Sequence, residues 1–174
     1  MDNLIKSLSL RRLCLPSDTN YNILHSGKIK NVCCLEGNSN HISICYKGRI
    51  SEKKLCVKIL SYGSNIYDNC LDEKNKHAEV SAINNLPFRP KKKRNLDKIN
   101  ILVIRVSITG KLGNSKPCFH CLLNMKSLSN RGYIIKNILY SNENEEIVKT
   151  TLNKTINEGN FHFSKYYKRN NYIK

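Results

Sequence analysis

Acidic residues are scarce in this chain: 13 Asp and Glu stand against 30 Lys and Arg, a formal charge of +17 over 174 residues. Coding bias can raise Lys and Asn but does not remove acids, so the imbalance needs a physical reason. A field of that sign attracts polyanions, nucleic acid first and an anionic membrane surface second. Also lacking is any run of about 18 apolar residues, so no membrane-spanning helix is expected. The first 13 residues contain no continuous apolar stretch and no small-residue cleavage site. They do not read as a secretory signal, and an intracellular setting, cytoplasmic or nuclear, is expected. No internal repeat or low-complexity linker divides the chain. Residues 1–174 therefore read as a single domain, with its core at about 19–156, an N-terminal extension at 1–18 and a basic, Tyr-rich tail at 157–174.

What is present begins with eight cysteines, which in an unsecreted chain are thiols and metal ligands before they are disulfides. Only Cys118 and Cys121 stand at C-x-x-C spacing. Cys14, Cys33, Cys34, Cys45, Cys56 and Cys70 read as small core or surface residues.

Apolar periodicity predicts a short helix over 4–13, ended by Pro16, and a second over 19–35, with Gly37 just beyond it. Alternation predicts strands over 41–46 and 55–60, an antiparallel hairpin turning at Lys47-Gly48-Arg49. The second ends at Gly63-Ser64-Asn65, which opens a polar loop to Lys76. A helix capped by Asp72 or Asn75 then carries Ala78, Ile83 and Leu86 as far as Pro87. Residues 99–108, with Ile101-Leu102-Val103-Ile104 unbroken, read as a strand covered on both faces. A turn through Gly110 and Gly113 leads to a helix with Pro117 in its first turn, which carries Leu122, Leu123, Met125 and Leu128 and stops near Gly132. Strands over 133–140 and 147–152 have no room for a helix between them, so they form an antiparallel hairpin.

One combination of residues carries chemistry. Cys118 and Cys121 share a helix face, at the end where unpaired N–H groups and the helix dipole favour thiolate over thiol. His77 opens the other helix and can bring an imidazole to the same point if the helices lie side by side. One His and two Cys make three ligands for zinc and leave a fourth position for water. Glu79, two residues beyond the His, is then the proton carrier beside that water. A closed structural site would need a fourth protein ligand. His25, His41, His120 and His162 stand at no finger-like spacing from the cysteines, and His120 points to another helix face.

His77-Ala78-Glu79 followed by Ser115-Lys116-Pro117-Cys118-Phe119-His120-Cys121 resembles the cytidine deaminase-like superfamily of zinc-dependent nucleobase deaminases. The resemblance covers roughly residues 19–156. It implies a three-layer α/β/α fold with a mixed five-stranded sheet, the last two strands forming a hairpin. It implies one catalytic zinc on His77, Cys118 and Cys121, Glu79 as proton shuttle, and hydrolytic loss of ammonia from cytosine to give uracil. It also implies that Ser115 and Pro117 bind the base and leaving amine, and that Asn65 touches the sugar, although Gly-x-Asn is equally an everyday turn. Departures bear on the substrate: Tyr67 stands where free-cytidine deaminases usually carry a ribose-binding Glu, and His77 where they commonly have a third Cys.

Cytosine within single-stranded DNA or RNA is the substrate favoured by the charge and by the missing Glu. Lys91, Lys92, Lys93 and Arg94 would bind phosphates, while Tyr166 and Tyr167 stack bases. A free cytosine nucleoside or nucleotide is the alternative, and a catalytically silent nucleic-acid-binding relative a third reading. The basic run also has the composition of a nuclear-import signal or a solvated loop. Exchanging Lys91, Lys92, Lys93 and Arg94 for Gln is expected to weaken polynucleotide binding and flatten its salt dependence, by up to roughly one unit of log–log slope per lost phosphate contact. Binding that is unchanged across a salt titration would count against this run.

Overall fold

A computed structural model describes residues 40–50, 55–65, 77–89 and 96–163. The helices expected over 4–13 and 19–35 lie outside these residues, as do Asp72, Asn75, Lys91, Lys92, Lys93, Arg94, Tyr166 and Tyr167.

The unbroken apolar run does become the central strand. β3 (Asp97–Val106) is flanked by β1 (Asn40–Ile50) and β5 (Tyr133–Ser141), with β2 (Leu55–Ser64) and β6 (Ile147–Thr150) outside them, in the order β2-β1-β3-β5-β6. β1 is antiparallel to both β2 and β3, β3 and β5 are parallel, and β5 and β6 form the expected antiparallel hairpin. The sheet is thus mixed, but it has six strands rather than five. The extra one, β4 (Leu112–Gly113), pairs back onto the end of β3 because Ser107 N–H bonds to the Lys111 carbonyl at 2.8 Å, closing the intervening turn.

Two expected boundaries move. Lys47, Gly48 and Arg49 are not a turn: they pair with Lys58, Val57 and Cys56, so the ladder of the first hairpin runs past them to Ile50 and Leu55. β6 stops at Thr150, two residues early, because the Thr151 hydroxyl accepts the Lys154 N–H at 3.3 Å and caps a helix over Leu152–Asn157. Two consecutive β-branched threonines look like strand, and the capping role of the second prevails.

The described helices are α1 (Ala78–Asn84), α2 (Phe119–Ser127), which passes into a 3-10 turn at Leu128–Arg131, and α3 (Leu152–Asn157). They share one core on one face of the sheet. Ala82, Ile83 and Leu86 on or just after α1, Leu122 and Met125 of α2, Leu128 and Leu152 meet Cys45, Ile99, Ile101, Val103, Ile135 and Ile138. The alternation of Ile99, Ile101 and Val103 is what places these side chains on a common face. Leu123, one of the apolar residues carried by α2, is exposed. The core also continues past residue 156, since Ile156 and Phe161 pack against it. On the opposite face Tyr46, Asn100 and Ile104 are buried, and no helix among the described residues lies there. Among the described residues no helix is long and apolar enough to cross a membrane.

Close backbone approach locks α1 to the sheet. A Cβ on Gly63 would lie 2.2 Å from the Ala82 nitrogen and 2.6 Å from the Ala78 carbonyl oxygen, so only glycine fits there. Beside it the Ser61 hydroxyl donates to the Ala82 carbonyl at 2.7 Å. At the far end of α1, the Arg131 guanidinium donates to the carbonyls of Ile83 at 2.7 Å and Leu86 at 2.6 Å, and so ties that end to the turn after α2. Gly63→Ala is expected to lower stability by about 2–3 kcal/mol, the upper part of the range for overpacking, seen as a lower urea midpoint. An unchanged midpoint would mean that α1 can move off β2 at no cost.

Candidate metal centre

The ligand residues enter the site from helix starts, one position earlier than the sequence suggests. His77 is the N-cap of α1 (φ −69°, ψ 152°) and Cys118 the N-cap of α2 (φ −74°, ψ 165°), both in extended backbone. Pro117 therefore precedes the cap and is not in the first turn of the helix. Cys121 lies inside the first turn of α2. The side-by-side packing of α1 and α2 brings these residues together from 41 and 44 positions apart. His77 Nδ1 is 3.4 Å from each of the Cys118 and Cys121 sulfurs, and the two sulfurs are 3.5 Å apart.

These separations can be tested against a metal. Tetrahedral zinc with ordinary Zn–N and Zn–S bonds has N···S edges of about 3.5 Å and S···S edges of about 3.8 Å. The three donor atoms already stand within a few tenths of an ångström of that triangle, so the donor set and its spacing fit zinc. Among the described residues this is the one group of His, Cys, Asp and Glu donors close enough to hold a metal ion.

Protonation in the cluster follows from its contacts. Cys118 is held down to about 4, first by its hydrogen bond with Cys121 and, against the cost of burial, by His77. His77 is pushed up chiefly by its hydrogen bond with Cys118, with burial opposing. Cys121 is pushed up by the same Cys118 contact, by burial and by Glu79. A metal entering the site must displace protons from His77 and Cys121, so binding is coupled to pH.

Glu79 is buried at 6% exposure, in the first turn of α1. Its carboxyl is raised above the usual carboxylate range, mainly by burial, with His77 and Cys121 acting in the opposite sense. A protonatable acid thus stands against a metal-ligand sulfur.

The remaining candidate residues serve the protein itself. Asn65 Oδ1 accepts the Ala78 N–H at 2.8 Å, and its Nδ2 lies 3.0 Å from His41 Nδ1. Sequence reasoning passed over His41, which carries no motif. Burial, then Arg105 and His77, lower its pKa to about 4, which leaves its ring neutral beside the cluster. Ser115 is buried, its hydroxyl donating to the Val103 carbonyl at 2.8 Å and lying 2.9 Å from Ser141 Oγ. His120 stays out of the cluster and pairs with Asn124 at 3.2 Å. Lys91, Lys92, Lys93 and Arg94 are outside the described residues, but their flanks are not. Arg89 and Asp97 form an ion pair at the start of β3, whereas Asn65, which binds the residue next to His77, lies beside His41, the partner of Arg105 near the finish of β3. From Asp97 to that level is six to eight residues of strand, about 20–26 Å.

Comparison with protein families, curated proteins and solved structures finds no match for this chain.

One zinc per chain is expected, with Cys118 and Cys121 protected from iodoacetamide when zinc is bound and Cys118 labelled readily once a chelator removes it. Cys45, whose thiol burial pushes up to about 11, should stay unlabelled in both states. Equal labelling of Cys118 with and without zinc, read by peptide mass spectrometry, would rule out a cysteine-ligated site.

Proposed function

We propose that this protein is a zinc-dependent hydrolytic deaminase that converts cytosine to uracil, with the three-layer α/β/α architecture of the cytidine deaminase-like superfamily. The observation that carries this reading is Glu79: a buried carboxyl with a raised pKa, two residues from one candidate ligand and close enough to the cluster for His77, Cys118 and Cys121 to influence its ionisation. A closed structural site has no use for such a group, and neither does a silent nucleic-acid-binding relative.

His77, Cys118 and Cys121 hold the metal, and as three protein donors they leave a coordination position open. Zinc in such a set supplies a Lewis acid that acidifies water at neutral pH. Glu79 does the proton work: it takes one proton from the attacking water and passes it to the ring nitrogen, then takes the second from the newly added hydroxyl and delivers it to the departing amine, so that the water's two protons end on the ring N–H and on ammonia as the C–N bond breaks. Its raised pKa suits this task, because a carboxyl that gives a proton back at neutral pH must not be a strong acid. Asn65, Ser115 and Pro117 would approach the nucleoside mainly through backbone, since the side chains of Asn65 and Ser115 already bond within the protein. An intracellular setting, cytoplasmic or nuclear, goes with this reading because cysteine ligands stay reduced there.

Cytosine in single-stranded DNA or RNA is the proposed substrate, supported by the charge of +17. One observation favours the alternative of a free cytosine nucleoside or nucleotide. The described flanks of the basic run, Arg89 and Asp97, lie near the start of β3, about 20–26 Å along the strand from the level of the cluster.

The full chain, incubated with cytidine, deoxycytidine, their monophosphates and single-stranded DNA and RNA, is expected to convert C to U in the polynucleotides. Glu79→Ala should retain zinc and lose about 10²–10⁴-fold of the rate. Conversion of monomers alone would replace the polynucleotide reading with the free-nucleotide one. Activity that survives Glu79→Ala would remove the mechanism.

A further inference from the structure

Both helices that carry metal ligands share an unusual feature at their starts. An N-cap side chain normally accepts a hydrogen bond from one of the first helical N–H groups, which otherwise lack partners. In α1 the N-cap is His77 and in α2 it is Cys118, and neither makes a side-chain cap bond. Their donor atoms point to each other and to Cys121 instead. Buried N–H groups left without acceptors there would be costly.

The first helical N–H in each case is bonded from far away. Ala78 N–H donates to Asn65 Oδ1 at 2.8 Å, and Phe119 N–H donates to the His162 carbonyl at 2.8 Å. Asn65 stands at the end of β2. His162 belongs to the segment that follows α3, which the sequence assigns to a basic tail. That segment is seated by aromatic packing on the residue next to Cys118. The Phe161 and Phe163 rings lie 4.8 Å and 5.5 Å from Phe119, and 6.5 Å from each other. Phe161 also packs on the core, and its N–H bonds to the Gly159 carbonyl at 3.1 Å.

We infer that Asn65 and the Phe161–Phe163 strap are positioning residues for the metal centre, supplying from distant parts of the chain the acceptors for the first N–H of α1 and of α2, next to His77 and Cys118. Asn65 fixes where α1 begins, and with it the His77 ring. The strap fixes where α2 begins, and with it both cysteine sulfurs. Outer supports of this kind typically control metal affinity by 10–100-fold. The inference rests on His77, Cys118 and Cys121 holding a metal, and not on which reaction follows.

The test uses the full chain and reads the metal, not turnover. Zinc affinity is measured by chelator competition, and the cobalt-substituted protein gives a spectrum sensitive to tetrahedral thiolate ligation. Phe161→Ala/Phe163→Ala and Asn65→Leu are each expected to weaken zinc by at least about 10-fold and to perturb the cobalt bands. Asn65→Asp, which keeps an acceptor for Ala78 N–H, should recover most of the loss. Tyr133→Phe removes a 2.8 Å bond to the Pro87 carbonyl at the other end of the core and should leave both readouts unchanged. If the double alanine variant does not fold, Phe161→Leu and Phe163→Leu keep apolar volume without the ring stack and carry the same expectation. Lower urea midpoints with unchanged zinc affinity and cobalt bands would reduce both elements to ordinary structural supports and overturn the inference. A wild-type chain that binds no zinc would instead overturn the metal centre itself.

Discussion

The convergence of two helix starts at one point is the constraint on which the rest of this structure depends. His77 and Cys118 are 41 residues apart in the chain, yet their donor atoms come within 3.4 Å because α1 and α2 lie side by side on the sheet. Small errors in either helix would open that triangle, so each is fastened at more than one place. Gly63 and Ser61 clamp the middle of α1 against β2, and Arg131 holds its far end to the turn after α2. The start of α2 is held from both directions: Ser115 binds the preceding loop to β3 and β5, and the Phe161–Phe163 strap covers the first residue.

Electrostatics at the cluster follow from the same convergence. Cys118 is pushed towards thiolate, while His77 and Cys121 hold on to protons. Such a site is prepared for a cation in geometry but must release protons to accept one. Buried Glu79 adds a carboxyl whose pKa its surroundings raise, burial most of all. Burial near active groups is how proteins tune acids for proton transfer, and it is costly unless function repays it.

Legibility in the sequence varied with the range of the interaction. The ligand residues, the two helices and the final hairpin could all be read because their signals are local: i, i+3 spacing, apolar periodicity, and a connection too short for a helix. The errors were local as well. Thr151 read as strand because β-branched residues favour strands, although its hydroxyl caps α3. Lys47-Gly48-Arg49 read as a turn from composition, while cross-strand partners carry the ladder straight through it.

By itself the sequence determined which residues would form the His/Cys/Cys cluster, that each would stand at a helix start, and that a carboxyl would stand two residues from the histidine. These follow from short spacings, which the helix converts into shared faces. Only the tertiary structure decided that the three donors meet, that Asn65 spends its side chain on Ala78 and His41, and that a backbone carbonyl of His162 caps the cysteine helix. It also decided that the described flanks of the basic run sit near the start of β3, away from the level of the cluster. The physical reason is that a carbonyl acceptor is the same at every residue and carries no sequence signature. Which carbonyl a distant N–H finds is settled by packing, and packing is a property of the whole chain.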